Sequence, residues 1–145
     1  YADYIHSGDL WNGYKKYLQQ DGDLGMRMQQ AFSTVFAAGY QLACIIGSDC
    51  YELTTAIIEN AFEALNEKDA VIGPAKDGGY YVLGLTKMIP GIFENKKWST
   101  ATVYNDTITD FEKAVIKYSC LPILNDVDTV EDVPKELLDQ QHISE

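Results

Sequence analysis

Four aspartates stand where three apolar runs of this sequence end. "LACII" (42–46) leads into "GSDC" with Asp49, and "AVIG" (70–73) leads into "GPAKDGG" with Asp77. "CLPIL" (120–124) leads into "NDVDT", which carries Asp126 and Asp128. If the three runs are parallel strands, ligands are expected outside their carboxyl ends, where these acids gather. Carboxylate oxygens suit a hard divalent cation, which binds through a few acids together with the phosphates of a substrate. Each acid also has a plain role: Asp49 and Asp77 as turn formers, Asp126 and Asp128 as Asx-turn or capping residues. Singly, the plain role is preferred; as a set at one edge, the acids point to Mg²⁺ or Mn²⁺.

The elements that must position them alternate in type. From Asp23, the apolar residues Leu24, Met28, Ala31, Phe32, Val35 and Phe36 form one helical stripe, stopped by Gly39. "TTAIIENAFEALN" (54–66) opens on threonine caps and places Ile57, Ile58, Ala61, Phe62 and Leu65 on one face. A third helix is expected from about Thr100 to Tyr118, and a last one from Thr129, with Asp132 completing a variant capping box. Residues 1–22 read as a loop with a helical turn near Trp11 to Leu18. The strands are 42–46, 70–73, "YYVLGL" (80–85) and 120–124, the last an edge or short strand because of Pro122. Short continuous apolar strands between helices predict an α/β fold, layered around a mostly parallel sheet.

Bulk composition agrees with a single domain. The chain has 145 residues, 46% of them hydrophobic, and no apolar run approaches the length of a membrane span. A formal net charge of −11 argues against nucleic acid and anionic membranes, but admits a phosphorylated ligand bridged by a cation. Tyr1 is not an initiator methionine, so the natural start is expected upstream. Three cysteines without metal spacing suit a reducing, cytoplasmic compartment. Cys44 and Cys120 are expected in the core, and Cys50 in an accessible loop. His6 and His142 have no partners at metal-ligand spacing and are expected at the surface.

The segment from "IIGSDCYELTT" through "GPAKDGGYYVLGL", with "WST" (98–100), "DVDTVEDV" (126–133) and "QQDGDLGMRMQQAF" (19–32), resembles a bacterial GT-A glycosyltransferase-like family. That group includes transferases associated with selenium or radical-SAM chemistry. The resemblance covers nearly the whole chain. It implies the nucleotide-diphospho-sugar transferase fold, a Rossmann-like three-layer arrangement with metal-assisted use of a nucleotide donor. "GSDC" and "DVDTVED" are also similar to guanylyltransferases, in which acids at matching positions hold metal and phosphates. This carries a metal role to Asp49, Asp126 and Asp128, and brings Gly47 and Ser48 into the nucleotide or substrate contacts.

Two features depart from the family. Tyr51 stands where proline is usual. The family's opening strand, its glycine-rich basic loop, a helix and most of a second strand find no match, and "YADYI" resembles the tail of that second strand. The expectation is therefore one GT-A-like domain over 1–145 that lacks its N-terminal strands, is inactive alone, and is either poorly stable or self-associated through an exposed sheet edge.

The remaining candidates surround the acids. Arg27 and Lys76 are placed to meet a phosphate, with a surface charge the alternative for Arg27. Gly78 and Gly79 allow close approach of backbone to ligand. Trp98 and Ser99 line an acceptor pocket or, for Ser99, cap a helix. Asp77 is the candidate base or acceptor-orienting group. The expected activity is a glycosyltransferase using a nucleotide-activated sugar, a divalent metal and an unidentified small acceptor. The alternatives are a nucleotidyltransferase that uses a nucleoside triphosphate and a catalytically inactive GT-A-like binding module.

Overall fold

The computed structural model describes residues 13–125. The readings at His6, Asp126, Asp128, Thr129, Asp132 and His142 lie outside them. Helix α1, Leu24–Ala37, begins where the Asp23 carboxylate accepts the Met26 N–H at 2.9 Å. It ends in a Schellman turn: Gly39 has φ +96°, its N–H reaches Phe36 O, and the Tyr40 N–H reaches Val35 O. Helix α2, Thr55–Ala64, is capped by Thr54 Oγ1, which accepts the Ile57 N–H at 3.3 Å. Both starts match the sequence signals. Residues 13–20 hold a turn and then irregular chain, without the helical turn expected near 11–18.

Helix α3 is Val103–Lys113, shorter than the expected 100–118. Its stop is another Schellman turn, with Ile116 N–H on Phe111 O and Val115 N–H on Glu112 O. The left-handed position is filled by Val115 at φ 56°, a residue that gives no sequence warning of a helix end. Tyr118 consequently belongs to a strand.

Strands β1 (Ala43–Ile46), β2 (Ala70–Pro74), β3 (Tyr80–Leu85) and β4 (Tyr118–Cys120) form one sheet in the order β1-β3-β2-β4. β3 runs antiparallel to both β1 and β2, while β4 is parallel to β2. The sheet is therefore mixed rather than mostly parallel. The cause is the short connection 75–79: five residues cannot carry a parallel crossover, which needs a dozen or more. The chain instead makes a hairpin, with Gly78 N–H on Ala75 O and Ala75 N–H on Gly79 O. Gly78 takes φ +93°, the left-handed position of a three-residue hairpin loop. β1, β2 and β4 nonetheless point the same way, since both β1 and β2 oppose β3. Their carboxyl ends still share one edge.

Helices cover both sheet faces. Met28 and Phe32 of α1 and Phe111 of α3 pack with Ala70, Ile72, Leu83 and Leu85 on one face. Ala61 and Leu65 lie on Val71 on the other. The connection from β3 to α3 adds Ile89, Ile92 and Phe93 to the first core, although its sequence shows no helical or strand period. Lys96, in the same connection, has a side chain only 2% exposed and forms a salt bridge with Asp110 of α3.

The β2–β3 register shifts between Gly73 and Pro74. Tyr80 therefore packs toward the α1 side, while its neighbours Tyr81 and Val82 both join the α2 side. The absence of a Cβ at Gly73 leaves room for the Tyr81 ring, whose hydroxyl donates to Pro122 O at 2.8 Å. A bulge has thus re-aimed an aromatic side chain beside the ligand edge.

The cysteines correct the sequence expectation. Cys50 is buried, with its thiol 3.5 Å from Asn125 O, and Cys120 is exposed beside the Tyr104 hydroxyl. The short β4 ends at Cys120 on the sheet edge, whereas the post-β1 turn folds Cys50 under Tyr81 and Val82. Cys44 is half-buried, and desolvation pushes its thiol up to about 11. Among the described residues, no helix is long and apolar enough to cross a membrane.

Candidate functional site

The carboxyl end of β1 opens into a cavity of about 660 Å³ between α1, the amino end of β3 and residues 17–20. This falls within the size range of small-ligand pockets. Four of the sequence candidates line it: Arg27, Gly47, Ser48 and Asp49. Lys76, Asp77, Gly78, Gly79, Trp98 and Ser99 do not.

β1 places Asp49 through a short, fixed turn. Gly47 N–H donates to Tyr81 O at 2.8 Å, which continues the β1–β3 pairing one residue beyond the strand. A Cβ at position 47 would lie 3.0 Å from Asp49 Oδ1, so the glycine makes room for the carboxylate to fold back over the turn. Asp49 is exposed, and no hydrogen bond or ion pair engages its carboxylate among the described residues.

α1 supplies the positive group. Arg27 Nε donates to Gly22 O at 3.1 Å and its Nη1 donates to Gln19 Oε1 at 3.2 Å. Both partners are neutral, so the guanidinium is held in place with its charge uncompensated by any carboxylate among the described residues. The rest of the wall is mainly apolar, with Leu24, Met28, Val35, Ile45 and Tyr80. Burial drives the Tyr80 phenol well above its ordinary pKa, and its hydroxyl lies 3.7 Å from the Met28 thioether.

The other acids at this edge are engaged. Asp77 Oδ1 accepts the Gly79 N–H at 2.8 Å, an Asx turn inside the β2–β3 hairpin. Glu52 accepts from Asn125 twice, from the backbone N–H at 2.8 Å and from Nδ2 at 2.6 Å. Those two donors, aided by the nearby Lys76 charge, hold the Glu52 carboxyl below its usual range. Sequence reasoning missed this pair; 73 residues separate its members and no local pattern links them.

Of the hairpin glycines, Gly79 donates to Asp77 and Gly78 serves packing. Gly78 lies against the Ala101 backbone, and its carbonyl accepts the Tyr104 N–H at 2.9 Å. Trp98 packs its indole onto Gly25, where a Cβ would lie 2.6 Å from the ring, and its Nε1 has no hydrogen-bond partner among the described residues. Ser99 is exposed at φ 61° and is not the α3 cap, because the helix starts after Thr102.

Asp126 and Asp128 lie outside the described residues, and among those described no three His, Cys, Asp or Glu side chains gather to hold a metal. The three acids expected from the sequence, Asp49, Asp126 and Asp128, would offer only carboxylate oxygens, which suit Mg²⁺ or Mn²⁺.

Such an arrangement defines an α/β protein with a mixed sheet whose strand ends open on a charged, aromatic-walled cavity. A crystal structure from Desulfovibrio desulfuricans G20, described as a "putative nucleotide-diphospho-sugar transferase", is similar to it, with 39% sequence identity and a TM-score of 0.75. The match covers 78% of this chain and 50% of that one, so the chain spans half the length of this relative. No curated protein matches the sequence. Residues 3–100 match the bacterial family DUF2064, described as uncharacterised and conserved in bacteria, and the chain belongs to that family.

Proposed function

We propose that this chain is part of a transferase that uses a nucleotide-activated sugar, with Asp49 the described member of a divalent-cation site. One observation carries the reading. Of the three acids at this edge among the described residues, Glu52 holds Asn125 through both oxygens and Asp77 holds Gly79 through Oδ1, whereas Asp49 lines the cavity with a wholly unengaged carboxylate. The likeness to the Desulfovibrio protein supports the donor class.

In this reading Asp49, Asp126 and Asp128 would hold the cation, which when bound neutralises charge on the donor diphosphate. Gly47 keeps the space in which the Asp49 carboxylate turns. Arg27, fixed by Gly22 and Gln19, offers its guanidinium to a phosphate or carboxylate of a substrate. The apolar wall with Tyr80 excludes water around the bound group. Asp77 orients the acceptor through Oδ2, since Oδ1 is held by Gly79. Lys76, exposed at the hairpin tip, supplies a second cation on that side.

A melting screen against nucleotides and nucleotide sugars, with and without Mn²⁺, tests the proposal. A stabilisation that requires both nucleotide and Mn²⁺ supports it. A shift with nucleotide alone favours a binding module, and no shift with any pair removes the transferase reading.

A further inference from the structure

Helical side chains lean toward the amino end of their helix, and Arg27, near the start of α1, leans back over the chain that enters it. That chain turns at Gly22, φ +120°, where a Cβ would lie 2.8 Å from the Met26 sulfur. The turn brings the Gly22 carbonyl and the Gln19 side chain to one guanidinium, 3.1 Å from Nε and 3.2 Å from Nη1. Arginine has only donors. Gln19 must therefore turn its amide oxygen to Arg27, which leaves Nε2 as a donor with no partner among the described residues. On the guanidinium, both hydrogens of Nη2 and one of Nη1 are likewise unused among the described residues. Both side chains line the cavity, so this part of its wall offers unpartnered N–H donors and a full positive charge. Beside them the lining is aliphatic and aromatic, with Leu24, Met28, Val35, Ile45 and Tyr80.

We infer that Arg27 and Gln19 form a carboxylate subsite in this cavity, and that the acceptor is an organic acid with an apolar body. This rests on reading the cavity as the substrate site, but not on the cation. A guanidinium meets a planar carboxylate through two charge-assisted bonds at once. A phosphate dianion suits the place less well. Asp21 and Asp23 flank Gly22, and Asp49 lines the same cavity, so a second negative charge adds repulsion. The apolar side chains next to the guanidinium gain by covering a hydrocarbon body, whereas sugar hydroxyls buried there would lose hydrogen bonds to water. Gln19 has two tasks in this arrangement: it holds the guanidinium at the wall, and it donates Nε2 to the bound carboxylate.

The test follows phenylacetate by NMR on ¹⁵N-labelled protein, without nucleotide or metal, beside phenylacetamide, acetate and phenyl phosphate. Phenylacetate should shift the Arg27 Nε–H and Gln19 Nε2 signals. It should bind about tenfold more tightly than phenylacetamide, which lacks the charge, and than acetate, which lacks the apolar body. Gln19→Glu keeps an acceptor for Nη1 but sets a carboxylate on the guanidinium, and should lose phenylacetate binding. Gln19→Ala leaves Arg27 unanchored and Arg27→Lys keeps charge without the planar fork, so both should bind more weakly. Gln19 and Arg27 are exposed, and each variant should melt close to wild type. Undiminished binding by a folded Gln19→Glu overturns the subsite. Equal affinity for phenylacetamide overturns the charged contact, and tighter binding of phenyl phosphate overturns the choice of a carboxylate. A wild type that ignores phenylacetate removes the subsite and leaves the cation site standing. A bound carboxylate beside a failed nucleotide screen keeps the subsite and removes only its assignment to an acceptor.

Discussion

Gly78 and Ala101 touch backbone to backbone, so the tip of the β2–β3 hairpin is seated under the start of α3. The contact explains why this loop carries glycine more directly than a ligand does. Gly78 needs its left-handed φ of +93° and also has no room for a side chain. Gly39 shares the first constraint, at φ +96°, but has open space around it. Gly39→Ala should therefore cost about 1–2 kcal/mol, the left-handed penalty alone. Gly78→Ala should cost clearly more, because backbone must also move. Denaturant unfolding of the two variants reads the difference; equal losses would mean that the Ala101 contact is soft.

Val115 closes α3 at φ 56° and is 86% exposed, so it carries the strain of a β-branched residue and gains almost no burial. Val115→Gly should raise stability, by about 1 kcal/mol, once the extra freedom that glycine gives the unfolded chain is deducted. A higher denaturation midpoint with an unchanged slope is the expected result.

These two turns also show what could be read from the sequence. α1 was legible because Asp23 and Gly39 punctuate an amphipathic stripe, and α2 because Thr54 caps it. The end of α3 was hidden, since Val115 adopts, at the Schellman turn, a conformation that sequence signals assign to glycine. The antiparallel direction of β3 was available in the length of 75–79, but the Gly-Gly pair was read for ligand approach instead of hairpin geometry. At the site, Arg27, Gly47, Ser48 and Asp49 line one cavity, which brings together candidates that the sequence had offered separately, by motif and by edge position. The engagement of Asp77 by Gly79 and of Glu52 by Asn125 depends on folded geometry, and the second is a long-range contact without a local pattern.

Asp69 links the sheet to the chain before β4. Its Oδ2 accepts the Lys117 N–H at 3.1 Å and its Oδ1 lies 3.4 Å from Lys87 Nζ. The Lys117 bond first, and the Lys87 charge after it, hold this carboxyl below the usual range, as Asn125 does for Glu52. A depressed folded pKa means stability that is present above the unfolded value, near 3.9 for Asp and 4.3 for Glu. It is lost as pH falls through the folded value. Melting temperatures of wild type and Asp69→Asn should differ at pH 7 and converge below about pH 4. A gap that persists at low pH would assign the effect to shape rather than charge.

Thiol labelling should follow exposure. Cys120 is expected to react first, Cys44 slowly because burial raises its pKa to about 11, and Cys50 only on unfolding. Peptide mapping after a brief pulse of maleimide gives the order. Rapid labelling of Cys50 would show that the turn under Tyr81 opens readily.

The central claim is that Asp49 serves a cation. Carboxylates about 4 Å apart at an effective dielectric near 20 repel by roughly 4 kcal/mol before solvent and relaxation reduce it, so an empty acidic site is destabilised and a filled one relieved. The decisive measurement is a set of four melting curves, for wild type and Asp49→Asn, each with and without Mn²⁺. The account predicts that Mn²⁺ raises the wild-type melting temperature, that Asp49→Asn is as stable as wild type without metal, or slightly more so, and that Mn²⁺ leaves the variant nearly unmoved. An Asp49→Asn protein that melts lower without metal, beside a wild type that ignores Mn²⁺, would contradict it and make Asp49 a structural turn residue.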